Sequence, residues 1–216
     1  MAVCITEIVF ALILFLRIDS FGMLPDEVGV EYENREIAVV DTLKQDPDSL
    51  LKRIIARIEA AFNYRQADRM DSLSDSIIRI LGSGEISEPD FLAKGYYYAG
   101  ASLAYTNKVR NSFDYFKKAI EILNIYPDDT LKSRIVYFMG YTSNITGDHL
   151  ASDRYFNEAL LLKKKIYGEN SEELLTVYLS SAIAKINLRD FEGAKSIIDE
   201  IIEKTRRNTI RPSPSD

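Results

Sequence analysis

The residue types that most often carry chemistry are scarce in this chain. One cysteine, Cys4, and one histidine, His149, occur in 216 residues, too few for a disulfide framework, a Cys/His zinc centre or a Cys–His nucleophile pair. The chain contains no glycine-rich phosphate loop, no GxSxG elbow and no HExxH pair. The acid pairs Asp128-Asp129, Glu172-Glu173 and Asp199-Glu200 fall at expected helix ends or on polar faces, where they read as solvated charge. His149 follows Asp148 at an expected helix start, a surface position. The expectation is a protein with no catalytic residue, metal or cofactor. Recognition is the remaining chemistry, and GYYYAG at residues 95–100 is its most conspicuous stretch.

The bulk properties narrow the partners. A formal net charge of −6 argues against nucleic acid, which needs a surplus of Lys and Arg on one face. With 46% hydrophobic and 28% charged residues, the bulk of the chain is expected to be globular.

A repeat positions the tyrosines. Gly100, Ser112, Phe116 and Ala119 recur 40 residues later as Gly140, Ser152, Phe156 and Ala159, and 42 residues after that as Ala182, Ala194, Ile198 and Ile201. Stepping back by 39 gives Ala61, Leu73, Ile77 and Ile80. Within a copy, Phe113, Phe116, Ala119, Ile120 and Leu123 follow the i, i+3, i+4, i+7 spacing of an amphipathic helix. Asp46-Pro47, Pro89-Asp90, Pro127-Asp128 and Gly168-Glu169-Asn170 separate the copies. Gly147 suits a left-handed cap, Asp148 and Asp190 suit N-caps, and Asn170 with Glu173 suits a capping box. Eight helices are expected, near 47–63, 68–81, 90–106, 110–124, 129–145, 149–167, 171–187 and 191–205.

The stretches YYYAGASLAYTNKVRNSFDYFKKAI and VYFMGYTSNITGDHLASDRYFNEAL resemble the tetratricopeptide repeat family over residues 47–203. The period exceeds the family's usual value of about 34, and LLKKKIYGENSEELLTVYLSSA is similar to the longer variant of kinesin light chains and bacterial signalling proteins. The resemblance implies an all-α, right-handed solenoid of about four antiparallel hairpins. Gly100, Phe116, Ala119, Gly140, Phe156, Ala159, Ala182 and Ala194 would be its structural repeat positions, with Gly100 and Gly140 where the two helices of a hairpin cross. It also implies a concave groove lined by the first helix of each hairpin, with Tyr96 inside and Tyr97 in the groove. The expected groove residues are Lys94, Tyr97, Tyr105, Arg134, Tyr137, Tyr141 and Asn144, joined by Ala101, Thr176, Leu179, Ile183, Asn187, Ile58, Phe62 and Arg65. The Lys and Asn of the family's carboxylate clamp are replaced by Tyr97 and Ala101, so that clamp is missing.

The two ends read differently. Ile8–Leu16 is an apolar run, and Ser20-Phe21-Gly22 offers a cleavage-like site, so residues 1–22 resemble a signal peptide, although Glu7 and Arg17 flank the run with the wrong polarity. An apolar helix capping the repeats is the alternative. Export, or anchoring by this leader, is therefore expected, with a cytoplasmic location if it is a cap. Residues 23–46 read as a linker or unassigned segment, residues 47–205 as the repeat domain, and residues 206–216 as a disordered tail. The functional expectation is a non-enzymatic scaffold that binds a peptide or helix of another protein. The alternative is a sensory input module of a bacterial signalling system, and self-association through Ile197, Ile198, Ile201 and Ile202 is a further possibility.

Overall fold

The computed structural model describes residues 46–63, 66–106 and 108–209. These belong to one compact unit, Lys44–Asp216. The expectations for residues 1–22 and 23–45, for Arg65 and for residues 210–216 lie outside the described residues.

The described residues fold as eight packed helices with no strand. They are α1 (Pro47–Asn63), α2 (Ala67–Ser83), α3 (Pro89–Tyr105), α4 (Ser112–Leu123), α5 (Asp129–Ile145), α6 (His149–Tyr167), α7 (Leu175–Asn187) and α8 (Phe191–Thr209). Short 3₁₀ turns, Val109–Asn111 and Glu172–Leu174, lead into α4 and α7. Among the described residues, no helix is long and apolar enough to cross a membrane.

Local chemistry sets the boundaries. Asp46 accepts from the Ser49 N–H at 3.0 Å, Asp128 from Leu131 at 2.9 Å, Asp148 from Ala151 at 3.0 Å and Asp190 from Gly193 at 2.9 Å. Each bond satisfies an orphan donor of a helix start. Gly147 takes φ 85° in the turn after α5. The start of the seventh helix differs from expectation. Ser171, not Asn170, is the cap, accepting from the Glu173 N–H at 3.2 Å, and α7 proper begins only after the 3₁₀ turn. α8 continues through Thr209, past the expected end at 205.

Each helix packs on the next in sequence, and the first helices of successive pairs also touch: α1 with α3, α3 with α5, and α5 with α7. The odd-numbered helices therefore form one layer, and α2, α4, α6 and α8 pack against it. Within the α3–α4 and α5–α6 pairs, one glycine fits one phenylalanine. A Cβ on Gly100 would stand 2.6 Å from a Phe116 ring carbon and 3.0 Å from the Ser112 carbonyl oxygen, and one on Gly140 would stand 2.8 Å from the Phe156 ring. Phe116 is 0% exposed and Phe156 1%, and burying each contributes about 1.5–3 kcal/mol. Ala119, Ala159, Ala182 and Ala194 are buried, as small residues must be where helices come close.

Candidate functional site

An aromatic stripe runs across the first-helix layer. Phe138 on α5 is its hub, with ring centroids 6.1 Å from Phe62, 5.8 Å from Tyr97, 5.6 Å from Tyr137 and 6.1 Å from Tyr141. Phe62 in turn meets Tyr98 at 5.9 Å and Tyr105 at 5.8 Å. Edge-to-face and tilted pairs at these separations each add about 0.5–1.5 kcal/mol beyond burial and hold the rings in place. The stripe spans α1, α3 and α5.

Two repeat slots supply most of the stripe, and exposure varies within each. Glu59, Tyr98, Phe138 and Ser180 share one slot, and Phe62, Ala101, Tyr141 and Ile183 share another, at the same 39, 40 and 42 spacings. Phe62, Phe138 and Tyr141 are half-buried, and Tyr105 and Ile183 are each 37% exposed. Ala101 at its slot is buried.

Tyr97 departs from the expectation that it faces a groove. It is 6% exposed and packed in the core with Tyr98, while Tyr96 is half-buried against Tyr115. The cause is α3 itself, which is flanked by α1, α2, α4 and α5, so most of its circumference is buried. A rotation of about 100° per residue from Tyr96 therefore reaches another packed face rather than solvent. Burial pushes the Tyr97 hydroxyl well above the usual tyrosine range. Burial, then a 2.6 Å bond donated to Glu59 Oε1, does the same for Tyr98.

The other expected groove residues divide. Tyr137 is half-buried, and its hydroxyl lies 3.2 Å from Ser180 Oγ, tying α5 to α7. Burial raises the pKa of the Tyr137 and Tyr141 hydroxyls. Asn144 Oδ1 accepts from Asn187 Nδ2 at 2.8 Å and stands 3.1 Å from His149 Nδ1, so it is committed to bracing α5, α6 and α7. Lys94 is half-buried and Arg134 exposed. Of the remaining members, Ile58 is buried, Leu179 half-buried, and Thr176 and Asn187 exposed. Sequence reasoning missed Glu59, Tyr98 and Phe138. The spacing of 40 that paired Tyr97 with Tyr137 also pairs Tyr98 with Phe138, so the signal was one residue further along the same two runs.

Beside the stripe lie two adjoining depressions. One, of about 180 Å³, is lined by Glu59, Lys94, Tyr98, Asp128, Thr130, Leu131 and Arg134. The other, of about 280 Å³, is lined by Asp90, Lys94, Leu123, Pro127, Asp128 and Leu131. Both fall below the 300–1,000 Å³ or so of small-molecule sites. Among the described residues, no group of three or more His, Cys, Asp or Glu side chains is placed to hold a metal ion. Compared with protein-family models and with curated proteins, the chain matches none.

Proposed function

We propose that this protein is a non-enzymatic interaction scaffold. In this reading its four helix pairs stack as a right-handed solenoid of the tetratricopeptide type, and the face of the first-helix layer receives a segment of another protein. The observation that carries it is the stripe of Phe62, Tyr105, Phe138 and Tyr141, backed by the buried Tyr98, contributed by three helices from three different pairs and left partly open beside charged depressions. Rigid aromatic side chains bury a large area on binding at small entropic cost, which is why they dominate interfaces.

The test is affinity capture from native extract with the full chain and with Tyr105→Ala/Tyr141→Ala. Tyr105 is exposed and Tyr141 half-buried, so the double variant gives up two aromatic pairs of about 0.5–1.5 kcal/mol each, keeps its helicity and still unfolds cooperatively, at a lower temperature than the parent. A protein retained by the parent and lost by the variant supports the reading. Retention by both baits overturns it.

A further inference from the structure

The repeat marks a further surface, built from residues outside the aromatic stripe. Three side chains of the third pair, α5–α6, touch the fourth pair, α7–α8: Tyr137 lies 3.2 Å from Ser180 Oγ, Asn144 accepts from Asn187 at 2.8 Å, and Leu160 packs on the cluster of Leu174, Tyr178 and Ile201. Moved on by 42 residues, those three slots hold Leu179, Ile186 and Ile202, all aliphatic. Among the described residues α8 packs chiefly on α7, so no further pair lies on this face. Ile202 is 41% exposed, and Ile198 is half-buried, whereas Phe116 and Phe156 at its slot are enclosed. Ile197 and Ile201, by contrast, pack within the pair against Leu174 and Tyr178. The first pair ends differently. Leu174, Tyr178 and Asn187, which receive the third pair, correspond there to Arg53, Arg57 and Gln66, all exposed. Stacked helix repeats stay soluble by ending in polar faces; the first pair presents one and the fourth does not.

We infer that this open face of the fourth pair docks on the same face of a second copy of the chain, across a two-fold axis, with Leu179, Ile186 and Ile202 of both copies in the contact. The contact is independent of the scaffold reading. Its slots select the occupant, because they are the ones through which the third pair meets the fourth, and so they fit a helix pair of the same design. The first pair of another copy does not fit, since it would bring Arg53 and Arg57 against aliphatic side chains and desolvate them. A fourth pair does, because a two-fold contact sets a patch against itself and α8 does not repel its own copy. Phe191–Thr209 carries four acids and four cations in a chain of net charge −6, and Lys195–Asp199 and Lys204–Glu200 pair within the helix.

The test is sedimentation equilibrium of the full chain, 24.6 kDa, from about 1 to about 100 μM. The mass should rise from one copy toward two and no further. Ile202→Glu places a charge in the contact and should weaken the dimer about tenfold or more, and the milder Ile202→Ser should act in the same direction. Ile202 is partly exposed, so both variants keep the helicity of the parent by circular dichroism. Arg57→Glu, on the exposed face of the first pair, should leave the dimer unchanged. A monomer at every concentration, growth beyond two copies, or an Ile202→Glu variant that dimerises like the parent would each overturn the inference. So would a monomeric parent that melts lower on Ile202→Glu, which would mean that the chain covers this face with its own residues. Tyr105→Ala/Tyr141→Ala should dimerise as the parent does, so either reading can fail without the other.

Discussion

At the scale of single residues, glycine separates space from conformation. Gly100 is helical and faces the Phe116 ring, whereas Gly82, near the end of α2, has nothing within 4 Å of an added Cβ. Overpacking costs about 1–3 kcal/mol, more than the gain of up to about 1 kcal/mol from replacing helical glycine with alanine. Gly100→Ala should therefore destabilise by about 1–2 kcal/mol, and Gly82→Ala should stabilise by up to about 1 kcal/mol, both read by urea unfolding. The need for a small residue at Gly100 and Gly140 was legible in the sequence because the four copies superimpose at that slot. The burial of Tyr97 was not, because it depends on how many neighbours surround α3. Tyr97→Ala should cost about 3–5 kcal/mol, the range for removing a buried aromatic ring. Loss of binding in that variant would report unfolding rather than a lost contact.

At the scale of elements, the helix starts show how far local signals reach. α1, α5 and α6 span 47–63, 129–145 and 149–167, the ranges read from proline and aspartate placement. α4 and α7 begin later than expected because 3₁₀ turns tighten their first residues, a choice that no single residue announces. α3 has a cap that sequence spacing could not reveal. Its N-cap residue, Glu88, makes no side-chain capping bond; instead Asp48, in the first turn of α1, accepts from the Ser87 hydroxyl at 2.6 Å and from the Ser87 and Glu88 N–H groups at 3.2 Å. The Ser87 hydroxyl bond is the main influence holding the Asp48 carboxyl below its ordinary range, against the opposing effect of burial. A folded-state acid so strengthened contributes fully above the unfolded value of about 4 and loses that contribution as pH falls through its lower folded value. The parent should be more stable than Asp48→Asn at pH 7. The gap should narrow as pH drops below about 4, as followed by thermal melting across pH.

At the scale of the whole molecule, the repeat made the all-helical class and the number of helices legible, because four copies of one spacing demand four pairs. The site was legible only in part. The sequence pointed to the first-helix face and to Tyr105 and Tyr141, but the continuity of the stripe through Phe138 depends on contacts between pairs, which periodicity does not encode. The aromatic stripe belongs to no single pair, since it takes Phe62 from α1, Tyr98 and Tyr105 from α3, and Phe138 and Tyr141 from α5. The most direct test of this account is site-specific photo-crosslinking in native extract. A benzophenone amino acid would replace Tyr105 or Tyr141 on the first-helix face, with Leu161, 69% exposed on α6 in the other layer, as the control position. The account predicts one discrete adduct shared by positions 105 and 141 and absent from 161. Adducts of equal yield from all three positions, or from 161 alone, would contradict it.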